Sequence, residues 1–195
     1  MFAENRRVSI HFSLTDLVTD ITQNGAESGG SLVELHIGET VDSAGKGEFR
    51  FTVIDNGKGM SEEELKKAQD PFVTDGVKHP HRRVGLGLPF LIQTAESSGG
   101  GWKMESNKGK GTTVSAWFDL SNVDTPPMGD IPGMLRTVLL LNGPEEVLIK
   151  RFRESPEGRI DYEVSKSGLA DALGSLEDAG SLILMDKYLR SLEES

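Results

Sequence analysis

A chain of 195 residues with 36% apolar and 27% charged residues has the composition of one compact domain with room for a small extension, not of two large independent units. Its net charge of -10 argues against long nucleic-acid phosphate backbones as partners, since that binding draws on clustered Lys and Arg, yet one small anionic ligand can still be met by backbone N–H groups and a metal ion. The absence of cysteine removes disulfides and thiolate chemistry, no run approaches the roughly 20 apolar residues of a membrane span, and no apolar stretch after Met1 reads as a secretory signal, so a cytoplasmic protein with no membrane and no nucleic-acid partner is expected.

Residues 8–12 alternate apolar and polar side chains as a half-buried strand does. Ser13 or Thr15 then offers an N-cap. Leu14, Leu17, Val18 and Ile21 recur at helical spacing, which predicts an amphipathic helix to about residue 28. Asp20 and Asn24 fall one turn apart on that helix and share a face. Residues 32–39 and 48–54 read as two strands joined by a glycine-bearing loop. Ser61 with Glu64 three residues on has the pattern of a capping box opening a short helix. Residues 70–86 show no sustained periodicity and contain Pro71, Gly76, Pro80 and Gly85, so a mobile loop is predicted there. Helical spacing resumes over 88–97, and 102–106 and 112–120 alternate as a hairpin.

Pro126, Pro127, Gly129 and Pro132 then mark a linker, which sets the expected organisation as a domain over 1–123 and a linker with a small α/β subdomain over 124–195. In the second stretch, 134–141 fits a helix, 146–153 and 159–164 fit two strands about a Pro-Glu-Gly turn, and 169–173 and 182–192 fit two more helices. Leu182, Leu184, Met185, Leu189 and Leu192 give the last helix an apolar face expected to bury against its own domain.

Three segments hold chemistry. Strand residues Val53 and Ile54 deliver Asp55, followed at once by Asn56, Gly57, Lys58, Gly59 and Met60. Glycines there let backbone approach a flat ligand, although a plain hairpin turn fits the same residues. The Asp20/Asn24 pair can offer a metal an amide oxygen and a water a carboxylate, or be a solvated helix face. Arg83, Val84, Gly85, Leu86, Gly87 and Leu88 form a glycine turn opening a helix, suited to phosphate or simply flexible.

Taken in order, these segments resemble the ATPase superfamily shared by histidine kinases, DNA gyrase, heat-shock chaperones and mismatch-repair ATPases. Asp20-Ile-Thr-Gln-Asn24 is similar to its N box, Asp55-Asn-Gly57-Lys-Gly59-Met60 to its first glycine box, Asp70-Pro-Phe72-Val-Thr74 to its F box, Gly85-Leu86-Gly87-Leu88 to its second glycine box, and Gly109-Lys-Gly-Thr112-Thr113 to its closing motif. The resemblance implies a two-layer α/β sandwich of the Bergerat type, with a mixed, mainly antiparallel sheet, helices on one face, and a small C-terminal α/β appendage. It also implies ATP and Mg²⁺ as cofactors. Asp55 would accept a hydrogen bond from the adenine amino group, with Thr112, or secondly Thr113, joined through water. Asn24 would hold the metal, and Asp20 would act as catalytic base in slow hydrolysis. Gly57, Gly59 and Met60 would pass near the base, and Gly85, Leu86, Gly87 and Leu88 would meet the phosphates under a lid anchored by Phe72.

Hydrolysing members of this superfamily commonly carry Glu where Asp20 stands, which sets the carboxylate back by one methylene. No phospho-acceptor histidine helix precedes the ATP-binding segments, so a kinase of this kind would act on a separate protein partner. The stand-alone form is similar to anti-sigma-factor serine kinases and to small ATPase-domain proteins found among bacterial redox and hydrogenase genes. A nucleotide sensor that changes shape between ATP and ADP is the alternative to an enzyme.

Overall fold

The computed structural model describes residues 12–69 and 87–194. In chain order they form α1 (Leu14–Ala26), β1 (Leu32–Val41), β2 (Gly47–Asp55), α2 (Glu62–Gln69), α3 (Gly87–Ser97), β3 (Gly101–Asn107), β4 (Gly111–Asp119), α4 (Ile131–Leu139), β5 (Glu146–Ser155), β6 (Gly158–Ser165), α5 (Lys166–Leu173) and α6 (Ala179–Glu193). The strands make one sheet in the order β3-β4-β2-β1-β5-β6. Every neighbouring pair is antiparallel except β1 with β5, which run parallel.

Period-two alternation sorts the sheet into two faces. Val33, Leu35 and Ile37 of β1, Phe49, Phe51 and Val53 of β2, Val114, Ala116 and Phe118 of β4, and Val147 and Ile149 of β5 are buried on one face. Leu14, Leu17, Val18 and Ile21 of α1, Leu91 and Ala95 of α3, Met134, Leu135 and Val138 of α4, and Met185 and Leu189 of α6 close over them as a single core. Each Val, Leu, Ile, Met or Phe among them contributes roughly 1.5–3 kcal/mol of burial. Glu34, His36, Arg50, Thr52, Ser115 and Lys150 occupy the alternate positions with Ile54, Trp117, Leu148 and Phe152 among them, so the second face is mixed and carries no helix layer. This is the α/β sandwich expected, a mixed and mainly antiparallel sheet with its helices on one side.

The stretch beyond residue 124 joins the sheet directly. β5 lies beside β1 from Leu32↔Glu146 to Thr40↔Glu154, and β6 pairs with β5 at the sheet's margin. The proline-rich segment before it is docked against α1: the amides of Leu14 and Thr15 donate to the carbonyls of Pro127 and Met128 at 2.9 and 3.0 Å. α4 begins at Ile131, three residues before the periodicity suggested, because Pro132 suits a first helical turn whose amides need no partner. α5 also begins early, at Lys166, where the Ser165 hydroxyl accepts the Gly168 amide at 3.1 Å. On α6, Met185 and Leu189 are fully buried, whereas Leu184 remains 54% exposed beside Ile183 and Tyr188, so the apolar face is wider than the surface that covers it. Of the strand expected at 8–12, only Phe12 falls within the described residues, and it is in no strand. The loop expected at 70–86 lies outside them.

Candidate functional site

The site is built at the end of β2. α1 starts on a reciprocal cap in which the Asp16 amide donates to Ser13 Oγ at 3.3 Å and the Ser13 amide donates to Asp16 Oδ2 at 2.8 Å. With the helix phase set there, Leu14, Leu17, Val18 and Ile21 face the sheet and Asp16, Asp20 and Asn24 lie exposed on the other side. Gly25, next to Asn24, packs over the strand end. A Cβ placed on it would stand 3.3 Å from Val53 Cγ1 and 3.6 Å from the Asp55 Cβ. The last turn of α1 therefore lies over the strand end that carries Asp55, with Asn24 exposed beside Gly25.

Asp55 is 7% exposed, a cost that a carboxylate offsets through hydrogen bonds. Its Oδ1 accepts the Gly57 amide at 2.8 Å, which leaves Oδ2 for a ligand donor. The chain does not turn back as a hairpin after Asp55. It runs through Gly57, Lys58 and Gly59 into α2, whose Ser61/Glu64 box forms as expected, with the Ser61 amide donating to Glu64 Oε2 at 2.8 Å. That bond, then the Ser61 side chain, holds the Glu64 carboxyl below its ordinary pKa, with Lys108 and Lys58 adding to the effect. Gly57 is buried against Ser28, and the Lys58 amide donates to the Ser28 carbonyl at 3.2 Å. Gly59 has φ +57°, and a Cβ there would collide with the carbonyl of Asn107 at the end of β3. The close approach seen at these glycines is to the chain itself.

Thr112 lies directly across from Asp55 in β4, and Ser106 of β3 lies across from Thr112. The three side chains form a row on the helix side of the sheet. Thr113 pairs with Ile54 and Glu105 on the opposite face, so the pleat separates Thr112, the first choice from the sequence, from Thr113, the second. Met60 enters the same row through its amide, which donates to Ser106 Oγ at 2.8 Å.

Gly87 opens α3 beside α1. A Cβ on it would stand 3.6 Å from the Asp20 Cβ and 3.7 Å from Asn24 Nδ2, so the amide-rich end of α3 faces both polar residues. Leu88 packs against the core. Phe72, Gly85 and Leu86 lie outside the described residues, as do Lys78, Arg82 and Arg83. The Asp20 carboxyl is held above its ordinary pKa, first by desolvation and then by the charge of Asp16 one turn earlier. Among the described residues no group of three or more His, Asp or Glu side chains could hold a metal alone. Asn24 is the residue whose amide oxygen would hold a hard cation such as Mg²⁺ at this corner.

Sequence reasoning missed Ser106 and Ser28. A lone serine carries no spacing signal, although counting the register back from the Gly109–Gly111 turn sets 106 opposite 112. A groove of about 560 Å³ lined by Asp42, Lys46, Trp117 and Asp119 opens at the other end of the strands and contains none of the candidate residues.

The six-stranded mixed sheet with its helices on one side is an α/β sandwich of the Bergerat type. A family model described as histidine kinase-, DNA gyrase B- and HSP90-like ATPase matches residues 9–122, and the chain belongs to that family, whose domain binds ATP. The sensor histidine kinase AruS of Pseudomonas aeruginosa is 28% identical over 170 residues, which cover 80% of this chain and 16% of AruS. The sensor histidine kinase ZraS of Escherichia coli is 24% identical over 65% of the chain and 29% of its own length. Sporulation kinase C of Bacillus subtilis is 32% identical over 56% of the chain and 24% of its own length. The chain thus spans less than a third of each of these relatives. Among the described residues no helix is long and apolar enough to cross a membrane.

Proposed function

We propose that the protein binds Mg-ATP in the corner between α1, the end of β2 and the start of α3, and uses it in slow hydrolysis or in phosphotransfer to a separate protein in the cytoplasm. In this reading the adenine amino group donates to Asp55 Oδ2, and Thr112 reaches the same base through water. Gly57, Gly59 and Met60 form the backbone wall beside it. Asn24 would hold Mg²⁺, which would supply positive charge against that of the phosphates. Gly87 and Leu88 present the α3 amides to the phosphates, and Phe72, Gly85 and Leu86 are assigned to the same site by their motifs. Asp20 takes the proton of the attacking group.

The single observation that carries the reading is the meeting at one corner of four segments distant in sequence: Asn24 beside Gly25, Gly25 over Asp55, Asp55 across from Thr112, and Gly87 against Asp20 and Asn24. Asp55→Ala should weaken ATP binding by about 1.5–3 kcal/mol, the cost of losing a hydrogen bond to a charged group. Titration calorimetry giving equal affinity for both proteins would remove Asp55 from the base site.

A nucleotide sensor is the second reading, favoured by Asp20, whose short side chain suits binding better than turnover, since a displacement of about 1 Å can cost on the order of a hundredfold in rate. Radiolabelled ATP incubated with and without candidate proteins separates the two: label on a partner marks a kinase, and ATP bound but unconsumed marks a sensor.

A further inference from the structure

Ser106 connects three parts of the pocket through one oxygen. Its Oγ lies 2.8 Å from the Met60 amide, 3.1 Å from the Gly111 carbonyl oxygen and 2.9 Å from Thr112 Oγ1. A serine hydroxyl has one proton and two lone pairs. The Met60 amide can only donate, and it occupies one lone pair. The Gly111 carbonyl can only accept, and it takes the proton. All three contacts are satisfied together in one arrangement alone, in which Thr112 donates its own proton to the second lone pair of Ser106. Thr112 is then left with lone pairs only toward the pocket. Asp55 presents the same polarity, because its Oδ1 is engaged by the Gly57 amide and Oδ2 is an acceptor.

We infer that Ser106 is a positioning residue that fixes Thr112 as a hydrogen-bond acceptor beside Asp55, so that the pocket selects a 6-amino purine over its 6-oxo counterpart. This rests on the proposed assignment of Asp55 and Thr112 to the base. A water held between Thr112 and Asp55 spends one proton on each of these acceptors and turns its lone pairs to the base, so an exocyclic amino group is satisfied, whereas a 6-oxo group meets lone pairs with lone pairs. Discrimination of that kind comes from the penalty on the wrong base as much as from contact with the right one. Without the Ser106 oxygen, Thr112 can rotate and donate into the pocket, which removes part of that penalty. The loss also releases the Met60 amide, and this second effect is blind to the base.

The test compares MgATP and MgITP, which differ in the base at the 6-position, by titration calorimetry on the wild-type chain, Ser106→Ala and Ser106→Thr. The wild type should prefer ATP. Ser106→Ala should lower the ATP/ITP affinity ratio by about fivefold, the worth of one neutral hydrogen bond, and Ser106→Thr, which keeps the hydroxyl, should retain it. If Ser106→Ala weakens both nucleotides alike and leaves the ratio intact, Ser106 is only structural and the inference is overturned. Should Ser106→Ala fail to fold, Thr112→Val, β-branched and close in shape, must narrow the same ratio, and an unchanged ratio there overturns it equally. Failure of the wild type to bind ATP at all would reject the proposed function itself, a different outcome from ATP binding with an unaltered ratio.

Discussion

Asp20 shows how the local environment of one side chain bears on chemistry. It sits exposed on α1, yet desolvation and the Asp16 charge hold its proton to higher pH than an ordinary aspartate. A carboxyl whose folded pKa exceeds its unfolded one contributes stability that is present in acid, below the unfolded pKa, and lost as pH rises through the folded pKa. Turnover should run the other way, because a base must be ionised. The acid limb of the ATP-turnover profile is therefore expected above the usual aspartate range, and Asp16→Asn should move it down without erasing it, since desolvation remains. Asp20→Asn should abolish turnover while changing ATP affinity by less than about twofold. A pH–rate profile whose acid limb is the same in all three proteins would exclude Asp20 as the base. At this scale the sequence was informative where chemistry demands fixed spacing, as at Asn24 one turn after Asp20, or Asp55 at a strand end before a glycine. It put Thr112 ahead of Thr113 only through resemblance, because adjacent strand residues face opposite ways and it is the register that sets Thr112 across from Asp55.

Two elements far apart in sequence interlock around the base side of the site. The Gly109 amide donates to the Lys58 carbonyl at 2.7 Å, the Met60 amide donates to Ser106, and Gly59 backs onto the Asn107 carbonyl, so the turn after β2 and the β3–β4 hairpin are held as one body. Gly59→Ala should then cost on the order of 2–4 kcal/mol, a left-handed backbone penalty of roughly 1–2 kcal/mol with a collision against main chain added. Gly45, also at positive φ but with nothing near its Cβ, is the control: Gly45→Ala should cost only the backbone penalty. Urea denaturation of the two variants measures the difference, and equal losses would show that the Asn107 contact yields freely. The helices and hairpins were readable because their periodicity and caps are local signals. The partner of β5 was not. A parallel pair reached through a long connection has no turn whose residues announce it, and alternation identifies a strand without naming its neighbour.

For the molecule as a whole, the sheet's continuity decides how it unfolds. Arg151 of β5 is 1% exposed, and its Nη2 donates to Glu39 Oε2 of β1 at 2.6 Å while its Nε donates to Glu193 Oε1 of α6 at 3.1 Å. Tyr162 of β6 donates its hydroxyl to Glu193 at 2.6 Å, so one buried guanidinium and one carboxylate tie the first strand, the last two strands and the last helix together. Removing one partner from such a cluster commonly costs about 3–5 kcal/mol, because the remaining charges stay buried. We propose that the 124–195 stretch, although set off by a proline-rich segment, is part of the same cooperative unit as 1–123. Both tryptophans, Trp102 and Trp117, lie in β3 and β4 on the far side of the sheet from β5 and β6. Tryptophan fluorescence therefore reports only that side, whereas far-ultraviolet circular dichroism reports every helix. In urea the two probes should give coincident transitions, and Arg151→Met should shift both midpoints downward together. A dichroism loss preceding the fluorescence change would mean that α4–α6 and the β5–β6 hairpin melt alone, and that the parallel pairing of β1 with β5 adds little to the stability of the nucleotide-binding half.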